Sequence, residues 1–385
     1  MLSREISAKV KKLACQYPVV AVTGPRQSGK TTLCKTAFPN KPYVLMETPS
    51  VRDHAISDPR SFLAQYPKGA IFDEIQKTPE LLSYLQGIVD EKNTAGLFIL
   101  TGSENLLLSH KINQSLAGRT AIVKLLPFSM KEVSSQIKNL SANALLLKGF
   151  YPRIYDKKLD PYEAMNFYFQ TYVERDIREL IHLKDLMKFQ NFVKLCAGRA
   201  GQLLNFAALA NDAGISHQTA HEWISLLEVS FITFRLPPYF KNFNKRIIKM
   251  PKLYFYDVGL ASYLLGIETL TQMERDPLRG ALFENMVVAD LIKTRWNQAR
   301  ENNLSFFRDS NGNEVDLVVP SSKGLAAIEI KSAQTVVPDF FKGLDYFEKI
   351  AGKALAKKYV VYGGTDEQNR TAGQVLSYKN CHKIF

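Results

Sequence analysis

Cysteines and long apolar runs are scarce in this chain of 385 residues, and both shortages limit what the protein can be. No two cysteines form a C-x-x-C pair, which argues against structural zinc and against a disulfide framework. No stretch reaches the length of a membrane span, and the first ten residues carry charges where a signal peptide needs an apolar run. We therefore expect a cytoplasmic protein that does not enter a membrane. The four cysteines are Cys15, Cys34, Cys196 and Cys381.

Acidic residues are also in deficit. The chain has 50 Lys and Arg against 37 Asp and Glu, a net charge of +13, which favours a polyanion such as DNA as a partner. The hydrophobic content of 46% and the charged content of 23% are ordinary for a globular protein and exclude wholesale disorder. At this length we expect several domains.

The strongest motif runs from Gly24 to Thr31 and fits G-x-x-x-x-G-K-[ST] at every fixed position. It follows a predicted buried strand, Val19 to Thr23. The glycines let backbone N–H groups point at phosphate oxygens, and the next helix adds its partial positive charge. We expect Lys30 to bridge the β- and γ-phosphates and the Thr31 hydroxyl to ligate Mg²⁺. The predicted nucleotide-binding residues are Gly24, Pro25, Arg26, Gln27, Ser28, Gly29, Lys30, Thr31 and Thr32.

Two adjacent acids end the short hydrophobic strand predicted within Gly69 to Gln76. This is what a phosphate-hydrolysing site needs opposite its phosphate loop. Asp73 is expected to hold Mg²⁺ through water, and Glu74 to orient or deprotonate the attacking water.

Two later strands add further candidates. Thr101 and Ser103 end the strand predicted from Gly96, and the carboxyl ends of parallel strands face the ligand crevice. Either hydroxyl could reach the γ-phosphate, although a strand-end Ser is also a common turn residue. Arg119 precedes another strand, where it is either a surface residue or a group that stabilises phosphoryl charge in its own or a neighbouring subunit.

Together these motifs resemble the AAA-superfamily P-loop ATPases of bacteria and archaea that carry a long C-terminal domain. The resemblance implies an α/β protein with a P-loop αβα ATPase core, a helical and winged-helix middle and a restriction-endonuclease-like C-terminal domain. It implies ATP and Mg²⁺ as ligands and is compatible with a homo-oligomer. The predicted domains are 1–126, 127–190, 191–265 and 266–385. The stretches that carry the resemblance are Gly24 to Thr32, Phe72 to Gln76, Leu100 to Ser103, Leu116 to Arg119, Tyr172 to Arg178 and Pro251 to Leu260.

The middle of the chain is predicted to begin with helices. An Asp-Pro start signal at Asp160 leads into apolar residues three and four apart. A group of charged residues in this helix indicates either a nucleotide sensor or, as their helical spacing favours, an ion-pair network. These residues are Glu174, Arg175, Asp176 and Arg178.

A helix-turn-helix pattern follows between Leu204 and Leu227, with Gly214 as the turn residue and Ser216 as the cap of the second helix. In a DNA reader, Ser216 to His221 would face base edges. The strand Phe231 to Leu236 and a basic run would form a wing whose cations bind phosphate. The alternative is that the whole winged-helix segment is a structural scaffold that does not contact DNA. The basic run is Lys241, Lys245, Arg246, Lys249 and Lys252.

The last third of the chain predicts a helix, three meandering strands, a second helix and a further strand. This order resembles the restriction-endonuclease fold. The predicted segments are Leu282 to Trp296, Phe306 to Val319, Leu325 to Lys331, Phe340 to Ile350 and Tyr359 to Tyr362.

A candidate D…ExK motif lies on two of these strands. With the turn centred between Ser322 and Lys323, Asp316 pairs across from Glu329, close enough to share one divalent ion such as Mg²⁺ or Mn²⁺. Lys331 lies on the same face as Glu329 and would assist the attacking water. The alternative is a structural ion cluster in a binding module. Glu284 interrupts an apolar helical row and is a further candidate metal ligand.

Overall fold

A computed structural model describes residues 2–103, 115–174, 185–239 and 248–385. The charged residues predicted at Arg175, Asp176 and Arg178, and the basic residues Lys241, Lys245 and Arg246, lie outside these ranges, and so does the side chain of Glu174. Among the described residues, no helix combines the length and the apolar character that a membrane crossing requires. The chain divides into two units. One holds the residues up to Phe128 with Val229–Phe231 and Arg295–Arg300; the other holds Ser129–Glu228, Ile232–Thr294 and Glu301–Phe385.

The first unit is built on a parallel sheet of five strands in the order β2-β3-β4-β1-β5. Alternation along β1 separates the two apolar layers, because Val19 and Ala21 belong to one buried cluster and Val20 and Val22 to another. Helices therefore cover both faces, as parallel strands require. The strands are β1 (Val19–Thr23), β2 (Tyr43–Leu45), β3 (Ile71–Asp73), β4 (Phe98–Gly102) and β5 (Thr120–Lys124), and the helices are α1 (Ser7–Ala14), α2 (Lys30–Ala37), α3 (Pro49–Ser57), α4 (Pro59–Ala64) and α5 (Leu81–Lys92).

The second unit begins with helices. Asp160 caps the predicted helix by accepting a hydrogen bond of 2.9 Å from the backbone N–H of Glu163. That helix then widens into a π-helical segment, Phe169–Glu174. The helices are α6 (Ser134–Ile137), α7 (Ala142–Lys148), α8 (Pro152–Lys157), α9 (Pro161–Tyr168), α10 (Leu186–Ala197), α11 (Phe206–Ala213), α12 (His217–Val229), α13 (Val258–Leu264) and α14 (Leu270–Arg275).

The two helices predicted between Leu204 and Leu227 are present as α11 and α12. Gly214 takes a φ of 62° at the end of α11, which favours glycine, and the Ser216 hydroxyl accepts a hydrogen bond of 3.0 Å from the N–H of Thr219. Trp223 of α12 packs edge-on against Phe189 and Phe192 of α10. An antiparallel pair follows, β6 (Thr233–Leu236) and β7 (Lys252–Phe255).

The C-terminal part contains a sheet of six strands in the order β12-β13-β11-β10-β9-β8. Strands β8 to β10 form the predicted meander, and β11 joins β10 in parallel after a helix. The hairpin of β12 and β13 was not predicted, because β12 is three polar residues. The elements are α15 (Arg279–Asn297), β8 (Ser305–Arg308), β9 (Glu314–Ser321), β10 (Gly324–Lys331), α16 (Lys342–Ala351), β11 (Leu355–Tyr362), β12 (Gln368–Arg370) and β13 (Gly373–Ser377).

The register of β9 and β10 follows the predicted turn. Ser321 pairs with Gly324 and the ladder continues to Leu317 and Ile328. Extending the same register by one pair sets Asp316 opposite Glu329, so the two candidate metal ligands lie at the end of this ladder.

Candidate nucleotide site and C-terminal acidic cluster

The loop after β1 has the backbone that its glycines predict. Gly24 and Gly29 have φ values of 150° and 92°, and a side chain at Gly24 would collide with the backbone carbonyl of Leu125. The guanidinium of Arg4 holds the loop from outside, donating hydrogen bonds of 2.7 Å to the carbonyls of Ser28 and Leu126. These contacts fix the conformation of the loop.

Lys30 lies folded over this loop. Its ammonium donates to the carbonyls of Gly24 at 2.8 Å and Pro25 at 2.9 Å, and the residue is 5% exposed. Burial lowers the pKa of Lys30 to about 8, although the charges of Glu74 and Asp73 oppose this shift. A phosphate would offer the buried ammonium a stronger partner than two carbonyls do.

The other predicted loop residues surround the same space. The hydroxyl of Ser28 is buried without a hydrogen-bond partner, as expected of a group that awaits a ligand. Arg26 lies 3.9 Å from Glu47, Gln27 has a positive φ of 61°, and Thr32 is exposed on α2.

Asp73, at the end of β3, accepts hydrogen bonds from three hydroxyl groups. Thr31 at 2.7 Å and Tyr43 at 2.6 Å both donate to Oδ2, and Thr101 donates to Oδ1. Asp73 is 3% exposed, so these bonds fix the orientation of its carboxylate. A carboxylate bound to the Thr31 hydroxyl is the hard oxygen donor set that suits Mg²⁺.

Glu74 is the next residue along the chain and points to a different set of partners. Its backbone is left-handed with a φ of 57°. Ser103 donates to its Oε2 atom at 3.2 Å, and the amide of Gln76 donates to the same oxygen and, at 3.1 Å, to Ser103. The predicted strand-end hydroxyls of Thr101 and Ser103 thus contact the two adjacent acids.

Arg119 lies at the opposite edge of the sheet from this site. It precedes β5, whose first residue pairs with Val19, whereas the phosphate edge is where Lys124 pairs with Thr23. These edges are about 13 Å apart at the rise of a parallel strand. Arg119 donates to Asp90, with Nη2 at 2.9 Å from Oδ2. The prediction that Arg119 serves its own subunit's site is therefore wrong, and a role in a neighbouring subunit stays a prediction.

Three residues of the site were missed in the sequence. Arg4 precedes the motif, and nothing local connects it to the loop. Tyr43 begins the strand next to β3, two residues ahead of the register partner of Asp73, and reaches the carboxylate only because its side chain is long. Gln76 could have been found, since it follows Glu74 by two residues and carries an amide.

The C-terminal acids Asp316 and Glu329 are both buried, each 8% exposed. Asp316 Oδ2 accepts from the N–H of Ile330 at 2.7 Å, and Glu329 Oε1 accepts from Lys331 Nζ at 2.5 Å. Glu329 Oε2 is buried without a partner. Burial raises the pKa of both acids; the charges of Glu329 and Glu284 raise that of Asp316 further, and Lys331 opposes the rise for Glu329.

Glu284 does not join Asp316 and Glu329 as a third ligand. Its Oε1 atom accepts from Lys252 Nζ at 2.9 Å and from the Tyr254 hydroxyl at 2.5 Å. Within the described ranges, no three His, Cys, Asp or Glu side chains gather closely enough to hold a metal ion. Two carboxylates with one free buried oxygen therefore remain as candidate ligands for a divalent cation.

Lys252 also corrects the predicted wing. It was expected to present its charge to phosphate, but it is 3% exposed and also pairs with Glu314 at 2.5 Å. Burial would lower the pKa of Lys252, yet the charges of Glu284, Asp316 and Glu314 outweigh it and raise the pKa.

Three family models match successive parts of the chain. Residues 16–134 match an AAA domain, residues 139–271 match a domain of unknown function (DUF8612), and residues 279–381 match a domain of unknown function (DUF4143). The uncharacterized protein Rv2008c of Mycobacterium tuberculosis is 29% identical over 364 residues, which cover 94% of this chain and 80% of the relative. The uncharacterized protein MJ1544 of Methanocaldococcus jannaschii is 23% identical over 276 residues, covering 66% of this chain and 58% of the relative.

Two solved structures are also similar. The Walker-type ATPase PABY2304 of Pyrococcus abyssi has a TM-score of 0.44 and 15% identity, and the comparison covers 68% of this chain and 94% of that one. DnaA of Aquifex aeolicus, bound to AMPPCP, has a TM-score of 0.32 and 13% identity, with 58% and 85% covered. The family match, together with the phosphate loop and the two acids on a parallel sheet, shows that residues 16–134 form an AAA-type P-loop ATPase domain.

Proposed function

We propose that the protein hydrolyses ATP with Mg²⁺ at the loop between β1 and α2. The observation that carries this proposal is the placement of Asp73 and Glu74 at one strand end, with Asp73 bound to the loop residue Thr31 and Glu74 to Ser103. Two adjacent carboxylates thereby have separate partners and can take separate roles.

The contacts of these residues suit each of them to one role in ATP hydrolysis. Lys30, which now donates to two loop carbonyls, would donate to the phosphates, and Thr31 and Asp73 would hold the metal. Mg²⁺, when bound, neutralises charge on the phosphate oxygens. Glu74 accepts the proton of the attacking water, and Ser103 fixes the position of that carboxylate. A water bound by Glu74 replaces one of the two donors that Oε2 has now.

Phosphate release tests this proposal. Wild-type protein should release phosphate from ATP only in the presence of Mg²⁺, and Lys30→Ala should lose both nucleotide binding and turnover. Lys12→Ala, which removes an exposed lysine of α1, is the matched control and should behave as wild type. Turnover that survives in Lys30→Ala would contradict the proposed site.

We further propose that the C-terminal domain associates with DNA and cuts it through a divalent metal, Mg²⁺ or Mn²⁺, held by Asp316 and Glu329 with the help of Lys331. The buried, unpartnered Oε2 atom of Glu329 beside Asp316 favours a metal, because such an oxygen is costly unless a cation or donor meets it. The net charge of +13 favours DNA as the substrate. The segments α11 and α12 would supply a winged-helix DNA contact.

The alternative is a nucleotide-dependent regulator or scaffold whose C-terminal domain only binds DNA or protein. The existing bonds from Lys331 to Glu329 and from Ile330 to Asp316 favour it, because they already satisfy much of the pair. Incubation of plasmid and linear DNA with Mg²⁺ or Mn²⁺, with and without ATP, separates the two. Metal-dependent cutting supports the nuclease, and inert protein under every condition supports the scaffold.

A further inference from the structure

The C-terminal domain has an acidic cluster, defined here as Glu284, Glu314, Asp316 and Glu329. A lysine from an earlier strand of the same unit contacts this cluster. Lys252 is the first residue of β7, and its ammonium lies between Glu284 at 2.9 Å and Glu314 at 2.5 Å. A buried lysine in contact with two carboxylates is an internal counter-ion rather than a surface charge.

We propose that Lys252 is the resident cation of the acidic cluster: it holds Glu284 and Glu314 and leaves Asp316 and Glu329 as the pair that binds a divalent ion. This inference deepens the proposed metal site and rests on it for the identity of the pair. Lys252 is a positioning residue in this account, since it touches neither Asp316 nor Glu329 by a direct hydrogen bond.

The contacts divide the cluster into two halves. Glu284 receives a second bond from the Tyr254 hydroxyl at 2.5 Å, and Glu314 receives one from Arg308 at 2.9 Å. Their half of the cluster is therefore well supplied with donors. In the other half Glu329 has one bonded oxygen and one buried oxygen without a partner. The buried acceptor oxygen that lacks a hydrogen bond therefore lies in the half of the cluster formed by Asp316 and Glu329.

Charge counting gives the same division. Glu284 and Glu314 form direct ion pairs with Lys252 and Arg308, whereas Glu329 pairs with Lys331, and Asp316 interacts with Lys252 only through charge and without a direct hydrogen bond. The second half keeps an excess of negative charge in a buried place, which a divalent ion offsets. The first half has no such excess as long as Lys252 stays in it.

Binding of Mn²⁺ to the full-length, nucleotide-free protein tests the division. The measurements use a background with Thr31→Ala and Asp73→Asn, which removes both candidate metal ligands of the nucleotide site. Calorimetric titration should show one Mn²⁺ site that Asp316→Asn weakens at least tenfold. Glu284→Gln should change the affinity by less than about twofold, because Glu284 is committed to Lys252. An equal loss in Glu284→Gln and Asp316→Asn would overturn the inference while leaving a metal site in place.

Lys252→Met provides the opposite test. Without the ammonium, Glu284 keeps its bond from Tyr254 and Glu314 its bond from Arg308, but both lose their shared cation, so Mn²⁺ should bind at least tenfold more tightly or at a second site. The double variant Lys252→Met with Glu284→Gln should return towards the wild-type affinity. Unchanged binding in Lys252→Met would overturn the inference.

If Lys252→Met is too unstable for calorimetry, thermal melting still tests the inference. An ion that binds the folded state raises the melting temperature of the protein. Mn²⁺ should raise the melting temperature of Lys252→Met more than that of wild type, and an equal rise would count against the inference. Wild type that binds no Mn²⁺ while Lys252→Met gains a site would refute the proposed metal pair but support the role of Lys252.

Discussion

The hydroxyl of Tyr43 offers a sharp perturbation of the nucleotide site. It donates at 2.6 Å to the same oxygen of Asp73 that accepts from Thr31. When Thr31 turns to the metal, Tyr43 and Thr101 remain to hold the Asp73 carboxylate. Tyr43→Phe removes one of these two bonds and keeps the ring, over which Lys35 Nζ lies 3.5 Å from the centroid.

The expected magnitude follows from the charge on Asp73. A hydrogen bond to a charged group contributes about 1.5–3 kcal/mol, and the half-buried position of Tyr43 favours the lower end. Because Thr101 still donates to the other oxygen of Asp73, we expect only part of this energy to be lost from the free energy of Mg²⁺ binding. About 0.7–1.4 kcal/mol corresponds to a rise of roughly three- to tenfold in the Mg²⁺ concentration at half-maximal ATP turnover.

The assay is ATP turnover as a function of Mg²⁺ at fixed, saturating ATP. Turnover of Tyr43→Phe at saturating Mg²⁺ should stay close to wild type, because Tyr43 does not contact the reacting atoms. Tyr84→Phe, at a tyrosine that is 41% exposed, is the matched control. An unchanged half-saturating Mg²⁺ concentration in Tyr43→Phe would refute the argument that its bond orders Asp73.

Three further predictions concern the charged groups. Nucleotide affinity should not change with pH below pH 8 and should fall by up to about tenfold per pH unit above it, because Lys30 loses its proton there in the nucleotide-free protein and phosphate binding requires the protonated ammonium. Titration with a fluorescent nucleotide should show no such fall for Lys30→Arg. Asp316→Ala should abolish metal-dependent DNA cleavage and leave ATP turnover intact, and cleavage that persists would indicate a contaminating nuclease. Replacement of Lys245, Arg246 and Lys249 by Ala should reduce the slope of log DNA affinity against log salt concentration by roughly one unit per lost phosphate contact. An unchanged slope would mean that these residues do not contact phosphate and serve interdomain packing instead.

Local spacing was enough to predict which residues lie together at the candidate nucleotide site. Gly24 and the pair Asp73 and Glu74 were identified because each lies in or next to a strand whose apolar run is visible in the sequence, and Lys30 because it occupies a fixed position of the glycine motif that begins at Gly24. The Asp316 register was predicted for a similar reason, since a short turn fixes the pairing of the two strands around it.

Long-range placement was not available from the sequence. Arg119 was a candidate for phosphoryl charge in its own or a neighbouring subunit, but it precedes its strand, and in a parallel sheet that position belongs to the edge opposite the phosphate loop. Lys252 belongs to a run of basic residues and was taken as a surface cation, but the acids that bury it are supplied by α15 and β9. Tyr43 reaches Asp73 across neighbouring strands, a contact that no local pattern encodes.

ATP turnover by Glu74→Gln tests the central claim most directly. Glu91→Gln, which makes the same change at an exposed position of α5, serves as the matched control. Glu74→Gln should keep the ATP affinity of wild type and lose about a hundredfold or more in turnover, as expected when the group that takes the water proton is removed. Turnover equal to that of wild type and of Glu91→Gln would contradict the assignment of Glu74 and, with it, the proposed mechanism.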